Sequence, residues 1–461
     1  MARLIIDDPA TGNTAAELEL AGPEEAIARA GAAVSAGRAL ASMSVTERIT
    51  ICEGFIARLE AGADRIAHDV TRQMGKPVTQ ARSEVATAIS RARSMMSLAE
   101  ECLADTELPG PVGFERRIQK VPIGVVLNIA AWNYPLLIPV NVVVPAVLAG
   151  NAVILKHSAR TPLCAAHFAE AFAQAGAPEG TVVPLVTDHA VTAMLVARRE
   201  VGYVAFTGSV EGGREVSRAA RGREIDVGLE LGGKDPAYVR ADTDVAATAE
   251  AIAEGAFYNS GQSCCAVERV YVAREIYDEF VERLVDAAGP WRAGPPENEQ
   301  TTLGPMAQRG APAEISRQVE EAAARGARVL TGGSATTVAS RGRYFEATVL
   351  ADATDDMRVM REETFGPVAA VSPVGSDTEA IARMNDSPYG LTASIWTRDV
   401  DAARTIGARL EAGTIFLNRC DYLDPELPWS GWKDSGVGIT LSRHGFDRMV
   451  RTRAYHFRLP T

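Results

Sequence analysis

Two side chains of this chain are suited by type and setting to covalent acyl chemistry. Cys264 lies in Phe257-Tyr258-Asn259-Ser260-Gly261-Gln262-Ser263-Cys264-Cys265, and Glu230 lies upstream in Leu229-Glu230-Leu231-Gly232-Gly233-Lys234. A thiolate adds to a carbonyl carbon, and a carboxylate can draw a proton from water. Together they can make a thioester and hydrolyse it. Either alone says little, because buried cysteines are usually inert and most glutamates only face solvent. Cys265 is a rival thiol, and a carboxylate before Gly232-Gly233 can equally cap or pair at that turn. The two glycines are expected to serve a tight backbone turn in both cases.

Three more segments accompany this pair: Ala131-Trp132-Asn133-Tyr134-Pro135, Phe206-Thr207-Gly208-Ser209 and Glu363-Thr364-Phe365-Gly366-Pro367. In this order the five segments resemble the NAD(P)-dependent aldehyde dehydrogenase superfamily. The resemblance extends through Asn418 to Pro428-Trp429-Ser430-Gly431-Trp432-Lys433-Asp434-Ser435-Gly436, so it covers nearly the whole chain. That last block is similar to a family closure, Pro-Phe-Gly-Gly-x-Lys-x-Ser-Gly, with Trp429 for Phe and Ser430 for Gly. The resemblance implies Cys264 as nucleophile, since the family thiol stands two residues after Gly-Gln. It implies Glu230, 34 residues earlier, as the general base that activates water. It also implies that the Asn133 side-chain amide holds the oxyanion with the Cys264 backbone N–H. A neutral amide suits that task because it donates without competing for protons.

The cofactor side carries weaker local signals. No GxGxxG fingerprint is present. Phe206-Thr207-Gly208-Ser209 instead ends a strand and opens a helix, where Thr207, Gly208, Ser209 and nearby N–H groups can meet a pyrophosphate. The resemblance matches Lys156 to the lysine that contacts the adenosine ribose, with Ser158 and Ala159 following it. It matches Glu363 and Phe365 to the pair that holds the nicotinamide ribose and ring, with Trp132 lining the same passage. Three residues after the lysine, NAD-preferring members often carry a glutamate that repels a 2′-phosphate. Ala159 stands there, so NAD is the expected cofactor and NADP is admitted.

Family positions lining the aldehyde tunnel are matched by Tyr134, Ile138, Asn141, Tyr258, Ser263, Cys265, Leu423 and Trp429. This aromatic and aliphatic wall implies a neutral aliphatic or aromatic aldehyde, oxidised to its carboxylic acid. An inward-pointing Arg419 would instead favour a succinic-semialdehyde-type substrate. A CoA-acylating semialdehyde dehydrogenase is a further alternative, against which Glu230 counts. A catalytically silent relative would lack the nucleophile or the base, and both are present.

The elements that must position these residues read as an α/β protein. With 461 residues the chain exceeds one ordinary core. Helices are expected from 23 to 40 and from 45 to 103, with Arg48, Arg58, Arg72 and Arg82 on solvated faces. After the break at Pro109-Gly110-Pro111, alternating strands and helices follow. Strands near 114–121, 125–129, 152–156, 182–185, 203–206 and 269–272 and helices near 136–149 and 162–174 argue for parallel sheets covered by helices. The strands at 114–121 and 449–459 suit pairing with each other or across a subunit interface. The resemblance implies two parallel-sheet lobes, a cofactor-binding domain (1–105 and 123–232) and a catalytic domain (233–438). It adds a small β oligomerisation arm with the C-terminal strand (106–122 and 439–461), and assembly as homodimers or homotetramers.

Bulk properties exclude other classes. A net charge of −12 argues against nucleic-acid or anionic-membrane partners. The six cysteines show no CxxC or disulfide-like spacing, and no signal peptide is visible, so a cytoplasmic setting is expected. The apolar stretch from Val121 to Gly150 is broken by asparagines and prolines and reads as buried strand, loop and helix. Six scattered histidines give no metal motif.

Overall fold

The computed structural model describes residues 2–420 and 422–460. The site is built where the chain passes from one sheet to the next. Strand Asp226–Glu230 ends the run through a six-stranded sheet, and strand Asp235–Val239 begins a seven-stranded one. Only Leu231, Gly232, Gly233 and Lys234 separate the two.

The first sheet centres on strand Val125–Ala130, flanked in parallel by Ala152–His157 and Tyr203–Thr207. Val182–Pro184 and Asp226–Glu230 extend it on either side. Every residue of Val125–Ala130 and of Ala152–His157 is buried. Parallel strands covered by helices on both faces read as continuous apolar runs for this reason. The second sheet is parallel from Thr348–Ala351 through Val368–Val374, Val267–Ala273, Asp235–Val239 and Thr392–Trp396 to Thr414–Leu417. Only its edge strand Arg328–Thr331 runs antiparallel. The strand Gly436–Val437, expected in the second lobe, instead pairs with Glu230 and Leu229 at the edge of the first sheet.

The helical tract expected from 45 to 103 is three helices, Val45–Ala61, Ala63–Met74 and Val78–Leu103. Gly62 separates the first two. Gly75, in the left-handed region at φ 85°, ends the second, and Pro77 stands just before the third. Arg48 also departs from expectation. It is buried at 7% exposure, with Nη1 donating to the Leu40 carbonyl at 3.3 Å. Arg58 and Arg72 are exposed and Arg82 is half-buried.

Strand Phe114–Pro122 pairs antiparallel with Val450–Arg458 over its whole length, from Val450 opposite Pro122 to Arg458 opposite Phe114. Thr106–Glu107 adds a short third strand. No described helix is long and apolar enough to cross a membrane.

Candidate active site

A cavity of about 510 Å³ opens beside the crossing between the sheets. Cys264, Glu230 and Asn133 all line it, as do all eight residues expected to contact substrate. Cys264 is half-exposed and Cys265 is buried, with Sγ 3.5 Å from Ser263 Oγ. The accessible thiol of the two is therefore Cys264.

Its loop is shaped by three successive residues in the left-handed region, Asn259 (φ 53°), Ser260 (φ 56°) and Gly261 (φ 68°). A side chain on Gly261 would overlap the Gly366 carbonyl. The strained turn is tied down at several points. The Asn259 amide donates to the carbonyls of Asn133 (3.0 Å) and Gln262 (3.1 Å), Ser260 Oγ donates to the Gly304 carbonyl (2.9 Å), and the Asn259 N–H donates to Gln80 Oε1 (3.0 Å). The loop that carries the thiol and the loop that carries Asn133 are thus joined by hydrogen bonds.

A buried ion pair secures Asn133 from the other side. Lys76 and Glu84 are paired with side chains 0% and 2% exposed. Lys76 Nζ also donates to the Asn133 carbonyl at 2.8 Å, and Glu84 Oε1 accepts the N–H groups of Leu136 (2.8 Å) and Leu137 (3.3 Å). The main chain of Asn133 is held while its side-chain amide makes no hydrogen bond among the described residues, and the residue lines the cavity. Neither Lys76 nor Glu84 was singled out from sequence.

Glu230 accepts from two threonines, Thr207 Oγ1 at 3.2 Å and Thr440 Oγ1 in a short hydrogen bond. Burial raises its pKa, while the two hydroxyls and the charge of Arg91 oppose the rise. Thr440 was missed from sequence, although it is held beside Trp429 by a reciprocal pair of backbone bonds of 2.8 and 3.0 Å. The glycines after Glu230 answer a need for space, since neither has positive φ. A Cβ on Gly232 would overlap the Glu363 carboxylate, and one on Gly233 would overlap the Cys264 carbonyl. This corrects the tight-turn expectation.

Among the expected cofactor residues, Glu363 packs against the crossing itself, at Gly232 and Gly233. Glu363 Oε1 accepts the Gly233 N–H at 3.1 Å, and burial with repulsion from Glu268 lifts its pKa to about 7. Trp132 and Phe365 meet edge to face, ring centroids 5.5 Å apart, with Phe365 in the left-handed region at φ 50°. A second buried pair positions this loop: Lys234 Nζ lies 2.5 Å from Glu268, whose carboxylate accepts the N–H groups of Thr364 (2.9 Å) and Phe365 (2.8 Å). Lys156 is buried, its pKa lowered by desolvation, and it makes no ion pair among the described residues. An uncommitted ammonium at Lys156, the Glu363 carboxylate and the Trp132–Phe365 ring pair are groups of the kinds that hold a dinucleotide.

Three of the expected cofactor residues are otherwise engaged. The Thr207 hydroxyl serves Glu230 and lines the cavity, the Gly208 N–H donates to the Glu230 carbonyl at 3.0 Å, and Ser209 Oγ accepts from Gly212 N–H at 3.2 Å to cap helix Val210–Ala219. Ser158 Oγ accepts the Arg160 N–H, and Ala159 is exposed. The nearby Arg160 guanidinium is spent on Asp7 and on the Gln73 carbonyl.

The chain matches the model of the aldehyde dehydrogenase family over residues 3–455. It belongs to the aldehyde dehydrogenase family. An aldehyde dehydrogenase of Paenarthrobacter nicotinovorans is 37% identical over 451 residues, 97% of this chain and 98% of the relative. A succinate semialdehyde dehydrogenase [NAD(P)+] of Escherichia coli is 35% identical over 95% of this chain and 94% of its own. Among solved structures, the NAD-dependent aldehyde dehydrogenase from Sinorhizobium meliloti superposes with a TM-score of 0.96 at 32% identity, covering 100% of this chain and 92% of that one. The two-sheet α/β fold is therefore that of an aldehyde dehydrogenase.

The lining of this aldehyde dehydrogenase also holds a cation not singled out from sequence. Arg91 on helix Val78–Leu103 lines the cavity and is 6% exposed. Its position was legible in principle: residues 84, 88, 91 and 95 follow helical spacing on a buried face that also holds Glu84, Ala88 and Met95. Arg419, the cation that a succinic-semialdehyde-type substrate would need pointing inward, also lines the cavity but is exposed, with its guanidinium 3.6 Å from the Tyr422 ring centroid.

Proposed function

We propose that the protein oxidises an aldehyde to a carboxylic acid through a thioester on Cys264. The observation that carries this reading is the convergence of an accessible thiol, a partly buried carboxylate and an uncommitted amide on one cavity. The Cys264 thiolate adds to the aldehyde carbon, giving a thiohemiacetal whose oxyanion is met by the Asn133 amide and the Cys264 N–H. A bound NAD(P) would supply the hydride acceptor for this carbon. Glu363, Phe365, Trp132 and Lys156 would hold it, with NAD expected and NADP admitted by Ala159.

Glu230 then takes a proton from water, which attacks the thioester carbon, and the Cys264 thiolate departs as the acid forms. Thr207 and Thr440 hold the Glu230 carboxylate in position for this step. Retention of the water-activating base favours hydrolysis over transfer of the acyl group to CoA. The aliphatic and aromatic wall supports a substrate with an apolar body. The neutral end expected from sequence is at odds with the charge of Arg91 in that wall.

The reading is tested by NAD(P)H formation at 340 nm with short, long, aromatic and acidic aldehydes, comparing wild type with Cys264→Ala and Cys265→Ala. Turnover is expected to vanish in the first variant and persist in the second. Persistence in Cys264→Ala, or no turnover with any aldehyde despite cofactor binding, would sink it.

A further inference from the structure

Arg91 is a buried cation without an anion. Among the described residues no carboxylate lies within 4.0 Å of it, and its Nε has no hydrogen-bond partner. Its one hydrogen bond runs from Nη1 to Asn141 Oδ1, at a long 3.4 Å. The two carboxylates whose charge it feels are already committed elsewhere. Glu84 is bound by Lys76 and two main-chain N–H groups, and Glu230 by two threonines. A guanidinium keeps its charge even when desolvated, so burial without a counter-ion is strongly unfavourable unless something is gained by it. Among the described residues, every other buried arginine of the chain is differently placed. Arg269 donates to the Lys234 and Met384 carbonyls and Arg48 to that of Leu40, and neither lines this cavity.

The surroundings of Arg91 give its charge a direction. Ser83, Thr87 and Arg91 stand at i, i+4 and i+8 on helix Val78–Leu103, and all three line the same cavity as Cys264. The helix thereby gives the cavity one polar strip ending in a cation, and the wall also carries the apolar surfaces of Tyr258, Leu423 and Trp429. An aldehyde bound at Cys264 with an aliphatic body would have a favourable partner for a negative terminus there.

We propose that Arg91 is a specificity-determining residue that binds the distal carboxylate of an ω-carboxy aldehyde, with Asn141 supporting its guanidinium. The inference rests on the thioester reading above and adds to it the chemical class of the substrate. A planar guanidinium offers paired N–H donors that match a carboxylate. Arg419, exposed and stacked on Tyr422, has no comparable desolvation and would contribute little to discrimination.

The test compares kcat/KM for aldehydes that differ only at the far end: succinic and glutaric semialdehyde against butanal and pentanal. Wild type, Arg91→Met, Arg91→Lys and Arg419→Met are assayed with saturating cofactor. The wild-type enzyme is expected to favour one of the carboxylated aldehydes over its neutral partner. Arg91→Met should lower that preference by about 10- to 100-fold, mainly through KM, as expected for loss of a charged hydrogen bond. Arg91→Lys should recover part of it, and Arg419→Met should leave it within about threefold of wild type. A wild-type preference for the neutral aldehydes, a preference unchanged in Arg91→Met, or one that follows Arg419 would overturn the proposal. Failure of every aldehyde in the wild type would instead sink the thioester reading. Calorimetry of glutarate binding to Cys264→Ala, with and without Arg91→Met, supplies a readout that needs no turnover. Weaker binding in the double variant is expected, and equal binding would overturn the assignment.

Discussion

Replacing Lys76 by Met separates two roles that the structure gives to one ion pair. The pair is almost wholly buried, so removing one partner strands the Glu84 charge. Breaking such a pair from one side typically costs about 3–5 kcal/mol of stability, whereas replacing both partners by apolar groups is often neutral. Lys76→Met should therefore be destabilised by about 3 kcal/mol or more, and Lys76→Met/Glu84→Leu should recover part of that. Recovery should be incomplete, because Glu84 also accepts the N–H groups of Leu136 and Leu137. Catalysis should respond differently. The Asn133 carbonyl loses the Lys76 donor in both variants but keeps the Asn259 amide at 3.0 Å. A charged hydrogen bond is worth about 1.5–3 kcal/mol, which sets the expected fall in kcat at roughly 10- to 150-fold. Urea denaturation followed by fluorescence gives the first quantity, and steady-state NAD(P)H formation gives the second. Single and double variants of equal stability, or a Lys76→Met enzyme with wild-type kcat, would refute the idea that the pair clamps the oxyanion loop.

Other consequences can be measured on the same enzyme. Because burial raises the Glu230 pKa and the base must be ionised to act, thioester hydrolysis should fail on acidification at a pH above the usual glutamate value of about 4.3. Thr440→Val removes a bond that favours the carboxylate, so the acidic limb of single-turnover hydrolysis should move further upward; a downward move would be inconsistent. Gly233→Ala should lower kcat by about 100-fold, since its Cβ would displace the Cys264 carbonyl and with it the nucleophile. Near-normal turnover there would show that the loop can yield. Ala159→Glu should shift the kcat/KM ratio toward NAD by about tenfold or more through repulsion of a 2′-phosphate, and an unchanged ratio would place that phosphate elsewhere.

Much of the architecture was legible because short-range rules dominate it. Apolar runs such as Val125–Ala130 and Ala152–His157, separated by helices, leave a buried parallel sheet as the natural reading. Alternation in 114–121 and 449–459 signals strands suited to pair with each other or across a subunit interface, and within the chain they pair with each other. The tract from 45 to 103 was read as continuous because its alanine-rich composition outweighed Gly62, Gly75 and Pro77. Helix Val78–Leu103, which begins after those breaks, carries Glu84 and Arg91 into the cavity lining.

The reactive residues were named from motifs, and all of those expected to line the cavity do so. What escaped notice was the set of partners that only tertiary contact reveals. Lys76 and Glu84 support Asn133 from 57 residues away in one case, and Thr440 reaches Glu230 across 210. Thr207, Gly208 and Ser209 were assigned to a cofactor because a strand-to-helix junction exposes donors. In the fold two of them are drawn to Glu230 and the third caps a helix. The neutral-pocket expectation missed Arg91 because a charged residue on a helix is usually solvated, and here it falls on the buried face.

The central claim is that Cys264 carries an acyl group which Glu230 releases. Its most direct test is rapid mixing of Glu230→Gln with a productive aldehyde and NAD(P), followed by intact-mass analysis. A burst of NAD(P)H close to one per active site, slow turnover afterwards, and an acyl adduct located on Cys264 are the predicted result. Steady turnover at the wild-type rate, or a burst without an adduct on Cys264, would contradict the account.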